Sequence, residues 1–216
     1  MSLGLLGGTF DPIHAGHLDV VEAARVAVGL DRVLLVPANV PPHRLAPGAS
    51  AAHRFAMAAL AVQDRPGVYV SDLEMSSTEP SYTSATLDKL NAQGVDAGTV
   101  SFIIGADAFR EIRTWKTFPE ILDRCLFVVV SRPGSPATAL RAVLPELSGR
   151  MIEAADMSRR DGRPEPRIIL VDAATAPVSS TDIRRRVAAS ASIAGLVPDA
   201  VARHILKHRL YAESAA

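Results

Sequence analysis

Residues 3–18 read LGLLGGTFDPIHAGHL, a short apolar run that ends at two adjacent glycines and is followed by two histidines. An apolar run halted by Gly7 and Gly8 predicts a buried β-strand that ends in a tight turn. Beyond the turn, apolar residues recur at helical spacing between positions 19 and 28, and Gly29 stands where a C-terminal cap would. The predicted order of strand, glycine turn and helix directs backbone N–H groups and the positive end of a helix toward one point.

The side chains of this segment suit a phosphate ligand. Gly7 and Gly8 lack the Cβ atoms that would keep a phosphate away from the main chain. His14 and His17 are three residues apart, so within a helix they lie on one face. Two imidazoles beside a glycine turn suit a polyphosphate that gains negative charge as a bond breaks. Taken singly, the glycines fit an ordinary turn and the histidines fit surface or core positions. The pair lacks a third metal ligand nearby, so we predict no protein-held metal. The G-x-G-x-x-G fingerprint of Rossmann dinucleotide-binding sites is also absent.

Length and composition narrow the class of protein. The chain has 216 residues, enough for one α/β domain with a sizeable core. Because 23 basic residues balance 23 acidic ones, no electrostatic argument favours nucleic acid or an anionic membrane as the main partner. Cys125 is the single cysteine, which excludes an intrachain disulfide, and we expect it to be a buried strand residue. No charged segment precedes the first apolar stretch, so we expect a cytoplasmic protein. The oligomeric state stays open, a homo-oligomer included.

Five further apolar runs predict buried strands. They cover residues 32–36, 68–73, 100–104, 126–130 and 167–171. Strands that are apolar on nearly every residue are covered on both faces, and the intervening helical patterns predict a parallel sheet. We therefore expect a single doubly wound, Rossmann-like α/β domain over residues 1–216, with a mostly parallel sheet of about six strands. A small helical part is expected at the C-terminus, about 180–211.

One internal helix is predicted in detail. Ser50 can cap a helix over residues 51–62. We expect this helix to bury four apolar side chains, those of Phe55, Met57, Ala59 and Leu60.

The unusual loops all follow predicted strands. They are Gly7–His17, Pro37–Arg44, Ser76–Thr83, Gly105–Trp115, Ser131–Gly134 and, more loosely, Ser179–Arg184. In a parallel sheet the carboxyl ends of all strands lie on one edge, where ligands bind. Motifs that are far apart in the sequence should therefore form one composite site.

The last of these loops has the features of an anion site. Ser179, Ser180 and Thr181 place hydroxyl and N–H groups at a predicted helix start, with Arg184 one turn inside the helix. A helix N-terminus and an arginine both favour phosphate oxygens. Taken by itself, the segment favours an ordinary capped helix with a surface arginine.

Two other loops offer groups for the rest of a ligand. Trp115, the single tryptophan, can stack on an aromatic ring or cover the core. Tyr82 and Thr83 offer hydroxyls and helix-start N–H groups to a carboxylate. Asp107 can bind a ribose hydroxyl, or simply complement a helix dipole.

The string Gly-Gly-Thr-Phe-Asp-Pro-x-His-x-Gly-His closely resembles the signature of the nucleotidylyltransferase superfamily. The remaining motifs occur in the order seen in bacterial nicotinate-nucleotide adenylyltransferases, and the resemblance extends from Leu5 to Tyr211. These motifs are Pro41–Arg44, Pro80–Thr83, Gly105–Asp107, Trp115, Arg132–Gly134 and Ser179–Arg184.

The resemblance implies adenylyl transfer from ATP to nicotinate mononucleotide, with Mg²⁺ carried by ATP and pyrophosphate. It implies catalytic roles at the phosphates for His14, His17 and Arg184. It implies an ATP site formed by Gly7, Gly8, Thr9, Phe10, His14, His17, Gly105, Asp107, Ser180, Thr181 and Arg184. It implies a mononucleotide site formed by Asn39, His43, Arg44, Tyr82, Thr83, Asp107, Trp115 and Arg132, with Trp115 stacked on the pyridine ring.

Two departures from the family pattern keep alternatives open. Lys116 follows the tryptophan where the family often has an aromatic residue, and the charged loop at 156–166 is longer than expected. A regulatory or interface role for that loop is an open alternative. Nicotinamide mononucleotide or another small phosphate could replace the nicotinate nucleotide as substrate, and a non-catalytic nucleotide sensor is the alternative from another class.

Overall fold

The computed structural model describes residues 2–42, 46–159 and 167–212. Within these ranges seven strands form one sheet in the order β3-β2-β1-β4-β5-β7-β6, and every neighbouring pair is parallel. The strands are β1 (Leu3–Gly8), β2 (Arg32–Pro37), β3 (Val68–Val70), β4 (Val100–Gly105), β5 (Leu126–Val130), β6 (Met151–Glu153) and β7 (Ile168–Val171). The predicted doubly wound α/β fold is confirmed.

Eight α-helices lie in the described part of the chain. They are α1 (Ala15–Val28), α2 (Ala51–Val62), α3 (Thr83–Ala92), α4 (Ala106–Phe109), α5 (Ile121–Arg124), α6 (Leu140–Val143), α7 (Ser180–Ala188) and α8 (Asp199–Lys207). Short 3₁₀ helices occupy Ala97–Thr99, Ile112–Thr114, Ala137–Ala139, Pro145–Arg150 and Ala154–Arg159. None of the helices in the described ranges is both long and apolar enough to cross a bilayer.

The core lies on both faces of the sheet. Leu5 belongs to one buried cluster and Leu6 to the other, and Val128 and Val129 are divided in the same way. This division follows from the pleat, because successive side chains of a strand point to opposite faces. Burial on both faces explains why the central strands are apolar at nearly every position, as the sequence indicated.

The sheet has one strand more than predicted, and one of the predicted strands is shorter than expected. The additional strand, β6, has three residues at an edge of the sheet, and two of them are only half-buried, so it lacks the continuous apolar run that marks the central strands. The predicted strand over 68–73 ends at Val70, because the chain then turns: the N–H of Met75 donates to the carbonyl of Asp72 at 2.8 Å. β3 is the opposite edge strand.

Helix α2 has the predicted bounds but a different buried face. Ser50 caps it by accepting a hydrogen bond from the N–H of His53 at 3.3 Å. Met57 is buried as expected, whereas Phe55, Ala59 and Leu60 are only half-buried. The remaining buried positions are Arg54, Ala58, Ala61 and Val62. The buried face differs because Arg54, a charged residue outside the apolar pattern, occupies part of it.

Cys125 is fully buried as predicted, but it ends α5 and directly precedes β5 instead of lying within the strand. Burial raises the pKa of its thiol to about 12. A thiol of this kind is not a nucleophile at neutral pH.

Candidate active site

The turn after β1 combines an open glycine with a tightly packed one. Gly7 is exposed, and a Cβ added there would meet nothing closer than the Phe102 ring at 3.8 Å. At Gly8 an added Cβ would lie 2.9 Å from the Phe10 ring, so this glycine is required by packing. Phe10 itself is buried and has a φ of 49°, in the left-handed region that an aromatic residue seldom adopts. The main chain at Gly7 is therefore accessible at the carboxyl edge of the sheet, while the buried Phe10 ring packs against Gly8.

The two histidines stack on each other at the start of α1. Their ring centroids are 3.7 Å apart with an interplanar angle of 26°. The backbone N–H of His14 donates to Nδ1 of His17 at 3.3 Å. Because Nδ1 of His17 accepts this bond, the neutral ring carries its proton on Nε2, and Nε2–H is a donor.

His14 is held in its neutral form. Its side chain is 2% exposed, and Nδ1 has no hydrogen-bond partner in the described part of the structure. Burial, followed by the positive charge of Arg132, lowers the pKa of His14 to about 4. At neutral pH this ring is therefore uncharged, and its stacked neighbour is not repelled by it.

The N-terminus of α7 lies against the β1–α1 connection. Ser179 caps α7 by accepting the N–H of Asp182 at 3.1 Å. The Ser180 hydroxyl donates to the carbonyl of Pro12 at 2.9 Å, and Nη1 of Arg184 donates to the carbonyl of Asp11 at 2.7 Å. Two motifs about 170 residues apart in the sequence thus share a border, as the parallel sheet predicted.

Three further predicted residues lie beside Arg184 or where β4 ends. Nη2 of Arg184 lies 3.3 Å from the Thr181 hydroxyl, to which it donates. Gly105 ends β4, and an added Cβ there would come within 2.5 Å of the Asp107 carboxylate in the first turn of α4. Asp107 is exposed at the edge where β4 ends.

Arg132 joins α1 to the segment that precedes α7. It donates to the carbonyl of Gly16 at 2.9 Å and to that of Val178 at 3.3 Å. A Cβ on Gly16 would lie 2.6 Å from its Nη1 atom. These main-chain bonds give Arg132 a tethering role in addition to the predicted contact with the mononucleotide.

The second part of the predicted site contains the aromatic residues. Trp115 is half-buried and packs edge-on against Phe102 and Phe127, with centroid distances of 5.9 and 6.4 Å. One side of the indole thus covers the core, which was one of the two alternatives. Stacking on a ligand ring stays a prediction.

The loops around α3 are tied to the same edge. Tyr82 is the N-cap of α3, which begins at Thr83 as expected, and the Lys116 ammonium lies 4.7 Å from the Tyr82 ring centroid. The side-chain amide of Asn39 donates to the carbonyl of Ser77 at 2.7 Å, which joins the loops after β2 and β3. The other two predicted residues, His43 and Arg44, lie outside the described residues, as does most of the charged loop (160–166).

The chain is similar to several known proteins over nearly its whole length. The cytidylyltransferase-like family model matches residues 5–186. A protein of Roseiflexus sp. (strain RS-1), named probable nicotinate-nucleotide adenylyltransferase, is 42% identical over 212 residues, 97% of each chain. The protein of Pectobacterium atrosepticum with the same name is 40% identical over 207 residues, 95% of this chain and 96% of that one.

The chain belongs to the nicotinate-nucleotide adenylyltransferase family. The same fold occurs in Plasmodium falciparum nicotinic acid mononucleotide adenylyltransferase complexed with NaAD, which aligns with a TM-score of 0.73. That alignment covers 97% of this chain and 96% of the other at 16% sequence identity, a level at which the likeness concerns the fold alone.

In this family member, three residues at the site were missed by the sequence analysis. The Asp11 carboxylate is buried and accepts the N–H groups of Gly48 at 2.8 Å and Ala49 at 3.0 Å. The Tyr211 hydroxyl donates to the same carboxylate at 2.7 Å.

Arg54 is the third. It is 1% exposed and donates to four main-chain carbonyls at 2.6–3.2 Å, those of Thr9, Ala38, Asn39 and Ala49. A signal existed for it, since position 54 shares a helical face with 57, 58 and 61. An arginine on an apolar helix face indicates a buried side chain that holds neighbouring segments by hydrogen bonds. No local pattern pointed to Tyr211.

Proposed function

We propose that this protein transfers the adenylyl group of ATP to nicotinate mononucleotide, giving nicotinate adenine dinucleotide and pyrophosphate. The observation that carries the proposal is the shared border of the two anion-binding elements, where Arg184 and Ser180 bond to the carbonyls of Asp11 and Pro12. The full-length relatives named for this reaction support the same conclusion.

The reaction needs no side-chain base. The 5′-phosphate of the mononucleotide is already anionic, and one of its oxygens attacks the α-phosphorus in line. A new P–O bond forms as the bond to the β-phosphate bridging oxygen breaks, and pyrophosphate leaves with the electron pair. Catalysis then consists of positioning and charge stabilisation. Mg²⁺ would enter bound to ATP as part of the substrate, and oxygens of phosphate and water would supply most of its ligands.

The chain's own donors are suited to the phosphates. In our proposal Nε2–H of His17 donates to the α-phosphate, while the buried neutral ring of His14 holds His17 in place. Arg184 is one-third exposed and stabilises the charge that develops on the leaving pyrophosphate. The rest of the ATP site comprises Gly7, Gly8, Thr9, Phe10, Gly105, Asp107, Ser180 and Thr181.

The mononucleotide occupies the aromatic part of the edge in this proposal. The face of Trp115 that does not cover the core stacks on the pyridine ring. Helix-start groups at Tyr82 and Thr83, with the nearby Lys116 charge, favour the carboxylate over an amide. Asn39, His43, Arg44, Asp107 and Arg132 complete this part of the proposed site.

Our proposal for the cellular context follows from the same chemistry. The protein acts as one domain over residues 1–216 in the cytoplasm, with ATP and nicotinate mononucleotide as partners. Nucleic acid and membranes are not expected partners, since the 23 basic and 23 acidic residues balance. Sedimentation of the full chain will test whether it forms a homo-oligomer.

A pyrophosphate-release assay tests the proposal. MgATP is combined in turn with nicotinate mononucleotide, nicotinamide mononucleotide and phosphopantetheine, and the dinucleotide is identified by mass. We expect the fastest release with the nicotinate nucleotide. A preference for the amide would refute the carboxylate argument, and ATP binding without pyrophosphate release would indicate a nucleotide sensor.

A further inference from the structure

We propose that Tyr211, just beyond the last helix, is a positioning residue that acts through Asp11 to keep Arg184 available for the phosphates of ATP. This inference rests on the proposed function. Tyr211 lies 200 residues from Asp11 in the sequence, and their side chains are 2.7 Å apart.

The Asp11 carboxylate accepts three hydrogen bonds from neutral donors. Oδ1 accepts the Tyr211 hydroxyl and the N–H of Ala49, and Oδ2 accepts the N–H of Gly48. Nη1 of Arg184 lies 3.6 Å from Oδ2, beyond a good hydrogen bond, and donates instead to the main-chain carbonyl of Asp11 at 2.7 Å. The guanidinium is therefore anchored beside the carboxylate without being tightly paired with it.

The position of Tyr211 makes it suited to this task. Its ring packs on the buried core and lies against Gly48, where an added Cβ would be 3.2 Å from the ring and 3.5 Å from Cδ of Arg184. Burial and the neighbouring carboxylate raise the pKa of Tyr211, so the hydroxyl stays protonated and keeps donating at neutral pH.

Loss of the hydroxyl would change the balance at Asp11. Among the described residues the carboxylate would keep the two loop N–H groups, and the guanidinium of Arg184 already lies 3.6 Å from Oδ2. A direct, charge-assisted pair would occupy donors of Arg184 and cancel part of its charge. The phosphates of ATP would then lose hydrogen-bond donors of Arg184 and part of its positive charge.

The test is a double-mutant cycle between positions 211 and 184. Turnover and KM for MgATP and for nicotinate mononucleotide are measured in the full chain and in Tyr211→Phe, Arg184→Ala and the double variant. We expect Tyr211→Phe to lower kcat/KM for ATP about 10- to 150-fold, the range that corresponds to losing one hydrogen bond to a charged group. KM for the mononucleotide should stay unchanged. In the Arg184→Ala background the same substitution should change kcat/KM less than about two-fold.

Several controls separate positioning from folding. Tyr69→Phe removes a hydroxyl from the exposed edge strand β3 and should leave all constants unchanged. Phenylalanine retains the ring of Tyr211, and thermal melting checks the fold. Should Tyr211→Phe melt below the assay temperature, Tyr211→His supplies the comparison and should weaken ATP use only when Arg184 is present. Asp11→Asn removes the carboxylate that would pair with Arg184, so in that background loss of the Tyr211 hydroxyl should change kcat/KM for ATP less than about two-fold.

Two outcomes would overturn the inference. Unchanged ATP kinetics in Tyr211→Phe would show that the hydroxyl is not needed. An equal loss with and without Arg184 would show that Tyr211 acts by another route. The proposed function has a separate readout, because wild-type protein that releases no pyrophosphate from ATP and nicotinate mononucleotide refutes that function. The affinity for a non-hydrolysable ATP analogue would still report the coupling.

Discussion

Replacing the buried His14 with asparagine should make the protein less sensitive to acid. Burial and Arg132 lower the pKa of His14 from 6.5 to about 4 in the folded state. The unfolded chain therefore binds more protons as the pH falls between these values. The stability associated with neutral His14 is fully present above pH 6.5 and is lost as the pH falls toward and through about 4.

The magnitude follows from the two pKa values. Their difference corresponds to roughly 3 kcal/mol of unfolding free energy once the pH is below both. Between about pH 7.5 and about pH 5, the same linkage gives a loss of about 2 kcal/mol. Such a loss is a large fraction of the stability of a typical domain, roughly 5–15 kcal/mol.

Asparagine is chosen because His14 occupies the N-cap of α1 in an extended conformation, φ −149° and ψ 172°, which suits a capping side chain. Urea unfolding is followed by circular dichroism across this pH range for both proteins. The wild-type protein should lose about 2 kcal/mol more than His14→Asn. His204, whose pKa is lowered by burial and by His208, is present in both and cancels. Parallel stability curves for wild type and His14→Asn would refute the reasoning.

Three further predictions concern other features. His17→Ala should lower turnover about 10²- to 10³-fold without unfolding the protein, the scale for losing one preorganised donor, and near wild-type turnover would remove His17 from the mechanism. Cys125, fully buried with its pKa raised to about 12, should react with a thiol reagent only after denaturation, so equal rates in native and denatured protein would contradict its burial. Gly16→Ala should lower the free energy of unfolding by about 1–3 kcal/mol, because the methyl group would meet Arg132 and the carbonyl of Ala176. Denaturant titration measures this loss, and Arg132→Ala in the same background should make it smaller.

The fold could be predicted because its central strands are buried on both faces. Continuous apolar runs such as 126–130 occur only where helices cover both sides of a sheet, and they identified five of the seven strands nearly to the residue. The edge strands carry a weaker signal. β6 is half-buried, so no continuous apolar run marks it. Tyr69 of β3 is almost half exposed; the run 68–73 identified this strand and its start but not its end at Val70.

The face of a helix is harder to predict when a polar residue is buried. Arg54 occupies the core side of α2 because four main-chain carbonyls accept its hydrogen bonds. A pattern of apolar side chains gives no sign of these acceptors. Burying an arginine is costly unless its donors are satisfied, so its position depends on loops that come from elsewhere in the chain. A periodicity analysis that assigns apolar residues to the core rotates the helix away from the correct face.

The same reasoning explains which part of the candidate site escaped prediction. Convergence of the loops at the carboxyl edge follows from parallel topology alone, and it correctly brought Arg184 to the β1–α1 turn. The bonds that fix this approach end on the main-chain carbonyls of Asp11 and Pro12, and a carbonyl is the same at every residue. The sequence can therefore identify the side chains that donate, but the carbonyls that accept are known only from the folded structure. Tyr211 is the extreme case, since its hydroxyl donates to a carboxylate that also accepts the N–H groups of Gly48 and Ala49, in a distant segment.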